Sequence, residues 1–397
     1  MKTASFIVLC SSWLVCGLAQ AQHIEDGKLV FPERRIQSFV YDGVSPEVIA
    51  VLAARITTLD GDLPGSWGYE WSAAADHYRD RADELLSDAK REDAMEAYLL
   101  ASTYYSLAGF PEYHSNEELK AFRNHLEAYR NAGELMQPAL QVVPVTARGK
   151  TFDTYFHRPA GIERPPLILW TNGTDKFKAS AYRSVRELLD LGFAVVTFDL
   201  PGTGESTFWK LTPDGEFVHL AVLDHFAGRD DVDTENIFQI GVSFGGYFAA
   251  RMATKNDSRL KAIAAVCGPV HDAFVQGNDS FAETLASPEG RTVAAFARRV
   301  DVDPADPAEL ASVAEGFSLV NQGLITSEKT IHTPLLIVNG GRDGLAPISD
   351  MQLLASAASD AEVWTLGMAP HCAKKYFDKV LPDIAEWLIE RGGSNPD

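Results

Sequence analysis

The sequence predicts an α/β protein: an eight-stranded, mostly parallel, doubly wound sheet preceded by a separate helical domain. Three observations predict it. From residue 141 onward, short β-rich runs alternate with helical patterns. The later runs are largely apolar, as strands covered on both faces are. Residues 45–137 carry helical periodicity throughout. The 397 residues, 46% of them apolar, suffice for one large core and a smaller satellite.

The chain opens with the lone charge Lys2 and an apolar stretch from Phe6 to Leu18. Ala19-Gln20-Ala21 follows. This predicts a cleavable signal peptide over 1–21 and a secreted or periplasmic protein. The stretch is short for a membrane span, and no later segment approaches the ~18 apolar residues a span needs.

Residues 22–140 form the predicted helical domain. Ser45-Pro46 supplies an N-cap and a proline at the first helical position. Ala94, Ala97, Tyr98, Ala101, Tyr104, Tyr105 and Ala108 share one helical stripe, which Gly109-Phe110-Pro111 ends. Ser115 and Glu118 make a capping box for the next helix, with Leu119, Phe122, Leu126, Tyr129 and Met136 on its apolar face.

Residues 141–397 form the predicted catalytic domain. Its strand candidates are 141–145, 151–157, 167–170, 194–198, 237–240, 262–266, 335–338 and 362–365. Helical patterns occupy 179–191, 244–256, 349–358 and 374–390. The long stretch 272–330 reads as a partly helical excursion over the carboxyl edge of the sheet, where open α/β sheets hold ligands.

The chemistry lies at that edge. Gly241-Val242-Ser243-Phe244-Gly245 follows one strand and opens a helix, the setting of a nucleophile elbow. A serine hydroxyl needs a base, and the base needs an orienting group. In the chain order Ser, Asp, His, these are Asp343 in the Gly-rich loop 340–344 and His371 after the last strand. Asp350 is the nearby rival to Asp343. The oxyanion donors are the backbone N–H of Phe244 and that of Thr174, with Gly173 the second choice. His271, Tyr105 and Asp175 are the candidate substrate contacts. Asp199–Ser206 lacks the ending of a phosphate loop and reads as structural. Lys176 and Lys178 read as a solvated face. The glycosylation match at Asn172 reads as accidental, since a glycan there would block the site.

The net charge of -20 argues against nucleic acid and against anionic membrane surfaces. No metal-ligand spacing is present, and no metal or cofactor is called for. Once the leader is removed, Cys267 and Cys372 remain; in an oxidising compartment they could pair, which sequence does not reveal, and they read first as two unpaired, partly buried thiols.

At Gly241–Gly246, Asp199–Ser206, Gly340–Asp343 and Pro370-His371-Cys372 the chain resembles the α/β-hydrolase superfamily. Gly65–Trp71, Ala97-Tyr98 through Tyr104-Tyr105, and Pro159-Ala160-Gly161 are similar to the branch containing FrsA-like esterases. That branch also holds 2,6-dihydropseudooxynicotine hydrolases and fungal polyketide-shortening hydrolases. The resemblance implies an α/β-hydrolase fold with a helical cap, a small-molecule substrate bound between cap and sheet, and often a homodimer. The primary expectation is an acyl-enzyme hydrolase of an apolar or aromatic carboxylic ester. The alternative is a carbon–carbon hydrolase of a β-diketone or polyketide, and the remote one an inactive binding module.

Overall fold

The computed structural model describes residues 23–31, 33–113, 115–277, 282–283, 285–286 and 290–392. The predicted leader lies outside these residues. A short hairpin, β1 (His23–Glu25) and β2 (Lys28–Val30), comes first. Then follow helices α1 (Glu33–Tyr41), α2 (Pro46–Arg55), α3 (Trp67–Ser87), α4 (Arg91–Ala108) and α5 (Asn116–Leu135). The sheet strands are β3 (Gln141–Ala147), β4 (Lys150–His157), β5 (Pro166–Thr171), β6 (Ala194–Thr197), β7 (Asp233–Val242), β8 (Leu260–Val266), β9 (Leu335–Asn339) and β10 (Ala361–Thr365). Between and after them come α6 (Tyr182–Asp190), α7 (Phe217–Phe226), α8 (Phe244–Ala253), α9 (Gly290–Arg299), α10 (Pro307–Glu315), α11 (Ile348–Ser356) and α12 (Phe377–Gly392). Among the described residues, no helix is long and apolar enough to cross a membrane.

The caps read from sequence are formed. Ser45 accepts the N–H of Val48 at 3.2 Å, and Ser115 and Glu118 make their reciprocal pair. The excursion after β8 is partly helical, carrying α9 and α10. Hairpin β1–β2 and helices α1 and α7 fall outside the predicted elements. Leu119 departs from its predicted role, lying exposed rather than on the buried face of α5.

The sheet has eight strands in the order β10-β9-β8-β7-β5-β6-β4-β3. β3 and β4 pair antiparallel, as do β4 and β6, and the remaining pairs are parallel. Alternation along the strands divides the core into two layers. Leu167, Leu169, Ile263, Ala265, Leu335 and Ile337 join one cluster with residues of α7, α8 and α11. Ile168, Trp170, Ala262, Ala264, Leu336 and Val338 join the other with α6 and α12.

The helical region has its own aromatic core of Phe39, Trp67, Trp71, Tyr104 and Tyr105. It is also fastened to the sheet. Tyr129 of α5 stacks on Tyr155 of β4 with ring centroids 5.3 Å apart, and its hydroxyl meets His157 Nε2 at 2.9 Å. Tyr41 of α1 bonds Ser184 of α6 at 3.0 Å. Between the helices and the carboxyl ends of the central strands lies a cavity.

Candidate active site

Ser243 stands between β7 and α8 with φ 56° and ψ -120°. This is a costly backbone conformation for a residue with a side chain, and its surroundings hold it. The Ser243 N–H donates to Val266 O at 2.8 Å. Gly245 lets the first turn of α8 press against the end of β5: a Cβ there would lie 2.4 Å from Thr171 O.

Three side chains from distant loops form one hydrogen-bonded line. Ser243 Oγ is 2.9 Å from His371 Nε2, and His371 Nδ1 is 2.6 Å from Asp343 Oδ2. With the imidazole neutral, Nδ1–H donates to the carboxylate and Nε2 is left to accept the serine proton. Asn339 Nδ2 donates to Asp343 Oδ2 at 2.7 Å, and the N–H groups of Leu345 and Ala346 donate to Oδ1 at 2.7 and 3.1 Å. Burial pushes the Asp343 carboxyl up, but His371, Asn339 and the Ala346 N–H outweigh it and hold it below its ordinary value. Asp350 has another task. It accepts the N–H groups of Val270, His271 and Asp272 at 2.7, 2.9 and 3.0 Å, fixing the turn after β8.

The loop after β5 passes directly over Ser243. A Cβ at Gly173 would stand 3.0 Å from Ser243 Cβ and 3.2 Å from its hydroxyl. Asn172 anchors this loop: Oδ1 accepts Trp170 Nε1 at 3.1 Å, and Nδ2 donates to Phe177 O at 2.9 Å. Asn172 is buried, which agrees with reading its glycosylation match as accidental. The two lysines beyond it do not form a solvated face. Lys176 is half-buried against Asp42 at the cavity wall. Lys178 is buried, and its Nζ donates to Asp199 at 2.9 Å and Glu205 at 2.6 Å. Those two bonds give the Asp199–Ser206 segment its structural role.

The cavity has a volume of about 270 Å³ and is lined by Ser243, His371, Phe244, Gly173, Thr174 and Asp175, among others. Phe39, Leu107 and Phe110 reach it from the helical region, and Phe274, Phe296 and Ala314 from the excursion after β8. Two predicted contacts are absent from this wall. Tyr105 is turned into the helical core, where its hydroxyl bonds Asp76 and accepts Arg79 Nη1 at 2.8 Å. His271 directs Nδ1 to Ser318 Oγ at 2.7 Å. Asp175 does line the cavity, with Arg35 Nη1 3.3 Å away.

Cys267 and Cys372 are joined in a disulfide, contrary to the reading as free thiols. Sequence spacing carries no distance information across 105 residues, so this proximity was hidden. The bridge ties the end of β8 to the residue after His371, and Cys267 Sγ also accepts the Ser243 N–H at 3.3 Å. The sulfurs and the His371 ring lie close enough to suggest a metal site. However, the sulfurs are bonded to each other and both ring nitrogens are engaged. Arg35 and Lys374 also line the cavity and escaped the sequence reading. Position alone could have flagged Lys374, three residues after His371.

Comparison with known proteins agrees with this architecture. The family described as "Esterase FrsA-like" matches residues 50–392. An Esterase FrsA from Vibrio cholerae is 29% identical over 81% of this chain and 79% of its own length. The solved 2,6-dihydroxy-pseudo-oxynicotine hydrolase superposes with a TM-score of 0.76 at 21% identity, covering 90% of this chain and 96% of that one. AbyA5 superposes with a TM-score of 0.72 at 25% identity, covering 88% and 91%. The chain is thus an α/β hydrolase and belongs to the Esterase FrsA-like family.

Proposed function

We propose that the protein cleaves a carbon–carbon bond beside a ketone, in a β-diketone or polyketide-type substrate, through an acyl-enzyme. The hydrogen-bonded line Ser243–His371–Asp343, opening into the cavity, carries this reading. Ser243 Oγ attacks the carbonyl carbon while His371 Nε2 takes its proton. The N–H groups of Phe244 and of Gly173 or Thr174 receive the oxyanion, each worth about 3–4 kcal/mol in the transition state. The tetrahedral adduct collapses, and the departing carbon takes the proton from His371. Water then attacks the acyl group, its proton passing to His371 and on to Ser243. The net change is addition of one water to give a carboxylic acid and a shorter ketone.

Two observations favour carbon as the leaving atom. The chain superposes over 90% of its length on the solved 2,6-dihydroxy-pseudo-oxynicotine hydrolase, and the branch its sequence resembles includes carbon–carbon bond hydrolases. The cavity wall taken as a whole is predominantly apolar, with Phe39, Leu107 and Phe110 on one side and Phe244, Phe274 and Phe296 on the other, which suits carbon chains flanking a carbonyl. The second reading, a carboxylic ester hydrolase, uses the same steps with an alcohol leaving, and the relatives named Esterase FrsA favour it. Under either reading the helical region serves as a cap, and the protein works outside the cytosol. The leader sequence and the Cys267–Cys372 bridge support that location.

The test is turnover of 1-phenyl-1,3-butanedione against p-nitrophenyl butyrate by the wild type and Ser243→Ala. The expected result is a higher kcat/KM for the diketone and loss of at least about 10³-fold of it in the variant. Preferential ester turnover would shift the assignment to the second reading. Undiminished activity of Ser243→Ala would refute the mechanism.

A further inference from the structure

The cavity wall holds an imbalance of charge. Arg35, Lys176 and Lys374 line it together with Asp42 and Asp175. Lys176 pairs with Asp42, and Arg35 with Asp175. Lys374 is left over: among the described residues no carboxylate lies within ion-pair distance of its Nζ. The ammonium instead sits 3.9 Å from the ring centroid of Phe377 and 5.2 Å from that of Tyr41. Arg35 is also incompletely served. It is buried, its guanidinium lies over Phe110 at 4.5 Å, and its Nε has no hydrogen-bond partner. Behind Asp175 stands a further buried cation, Arg299. In a chain of net charge -20, the active cavity therefore has a cationic end.

We propose that this end, formed by Arg35, Lys176 and Lys374, binds a carboxylate of the substrate, so that the natural substrate is an apolar carbonyl compound bearing a free acid group. The inference rests on the hydrolase reading above and adds the substrate's charge to it. An ammonium drawn away from water with no carboxylate at ion-pair distance is costly, and a ligand carboxylate in direct contact lowers that cost. An amide of the same shape gives Lys374 no charge partner.

The surroundings of Lys374 set a pH dependence. The charged groups facing it are Asp42 from α1, Asp175 and Lys176 from the loop after β5, and Glu187 from α6. Burial and the nearby Lys176 pull it down to about 7, against the opposing pull of the three carboxylates. Lys374 therefore loses its charge as pH rises through about 7, and affinity for a carboxylate falls with it. An arginine at this position keeps its charge throughout that range.

The experiment is calorimetric titration of the Ser243→Ala protein with 4-phenylbutyrate and with 4-phenylbutanamide. At about pH 6.5 the acid is expected to bind at least roughly tenfold more tightly than the amide. Adding Lys374→Met should bring the two within about twofold. Adding Lys374→Arg should keep the preference at both about pH 6.5 and about pH 8.5, while the parent loses most of it at the higher pH. The proposal is overturned if the parent shows no preference for the acid, including no binding of it. It is overturned equally if Lys374→Met retains the preference. Because nothing is turned over, this result is independent of which bond, if any, Ser243 cleaves.

Discussion

At the scale of single residues, the candidate site depends on how closely backbone approaches Ser243. Gly173 is the sharpest case. Its missing side chain leaves room for Ser243, and an added methyl would meet Ser243 Cβ at 3.0 Å with its hydroxyl just beyond. That spacing is tight enough to displace the oxyanion loop by a few tenths of an ångström. Donors to a developing charge are sensitive to such shifts. Gly173→Ala is therefore expected to lower kcat by about 10²-fold or more, with a much smaller change in KM and in thermal stability. Steady-state kinetics beside a melting curve check it, and an unchanged kcat would remove Gly173 and Thr174 from the oxyanion site. Asp343 shows the complementary case, a side chain held by many bonds. Its donors keep it ionised and its geometry fixed, so His371 is presented in one orientation.

At the scale of elements, the candidate catalytic residues sit where strands end. Ser243 follows β7, Asp343 follows β9, His371 follows β10 and Gly173 follows β5. This much was legible, because a strand running into a glycine-rich turn and then a helix is a local pattern. The cationic end of the cavity was not. Arg35 comes from α1, Lys176 from the loop after β5 and Lys374 from the turn before α12, and no local pattern links them. Tyr105 illustrates a different limit: periodicity predicts that its face is buried, but not whether burial is against core or cavity. The disulfide is also non-local, and it lies against the candidate catalytic residues. It fastens the residue after His371 to the end of β8, one strand from the one that carries Ser243. Its cysteines are 105 residues apart, which implies up to about 4–5 kcal/mol of stabilisation in the chain-entropy picture. Replacing both cysteines, Cys267→Ala with Cys372→Ala, is expected to lower kcat at least about tenfold and to reduce the urea midpoint. A fully active double variant would show that β8 and α12 position His371 without the bridge.

At the scale of the whole molecule, acid should unfold this protein earlier than its carboxylates alone would dictate. Three histidines are buried in it far from solvent: His125 on α5, His157 at the end of β4 and His219 on α7. Burial pulls His125 and His157 down to about 4 and His219 to about 3. Each ring is neutral in the folded chain at about pH 5 and protonated once unfolded, where its pKa is about 6.5. The unfolded state then binds more protons, so stability rises with pH across this window. The contribution is complete above about 6.5 and is lost as pH falls toward the folded values, a loss of about 2 kcal/mol per histidine by about pH 5. Carboxylates held low, such as Asp343 and Glu216, stay ionised between about pH 6.5 and 5 and add nothing there. Asp350 and Glu187 are held high and act in the opposite direction, so they reduce the net slope. Urea titrations at about pH 7 and about pH 5 are thus expected to differ by several kcal/mol. His219→Gln should narrow that difference by about 2 kcal/mol, because one proton-binding site is removed from the unfolded chain. His219 is the informative choice: its Nε2 lies 3.3 Å from Thr171 Oγ1, beside the oxyanion loop, and its Nδ1 has no partner. Equal stability at the two pH values would mean that these rings take up protons without unfolding the sheet around them.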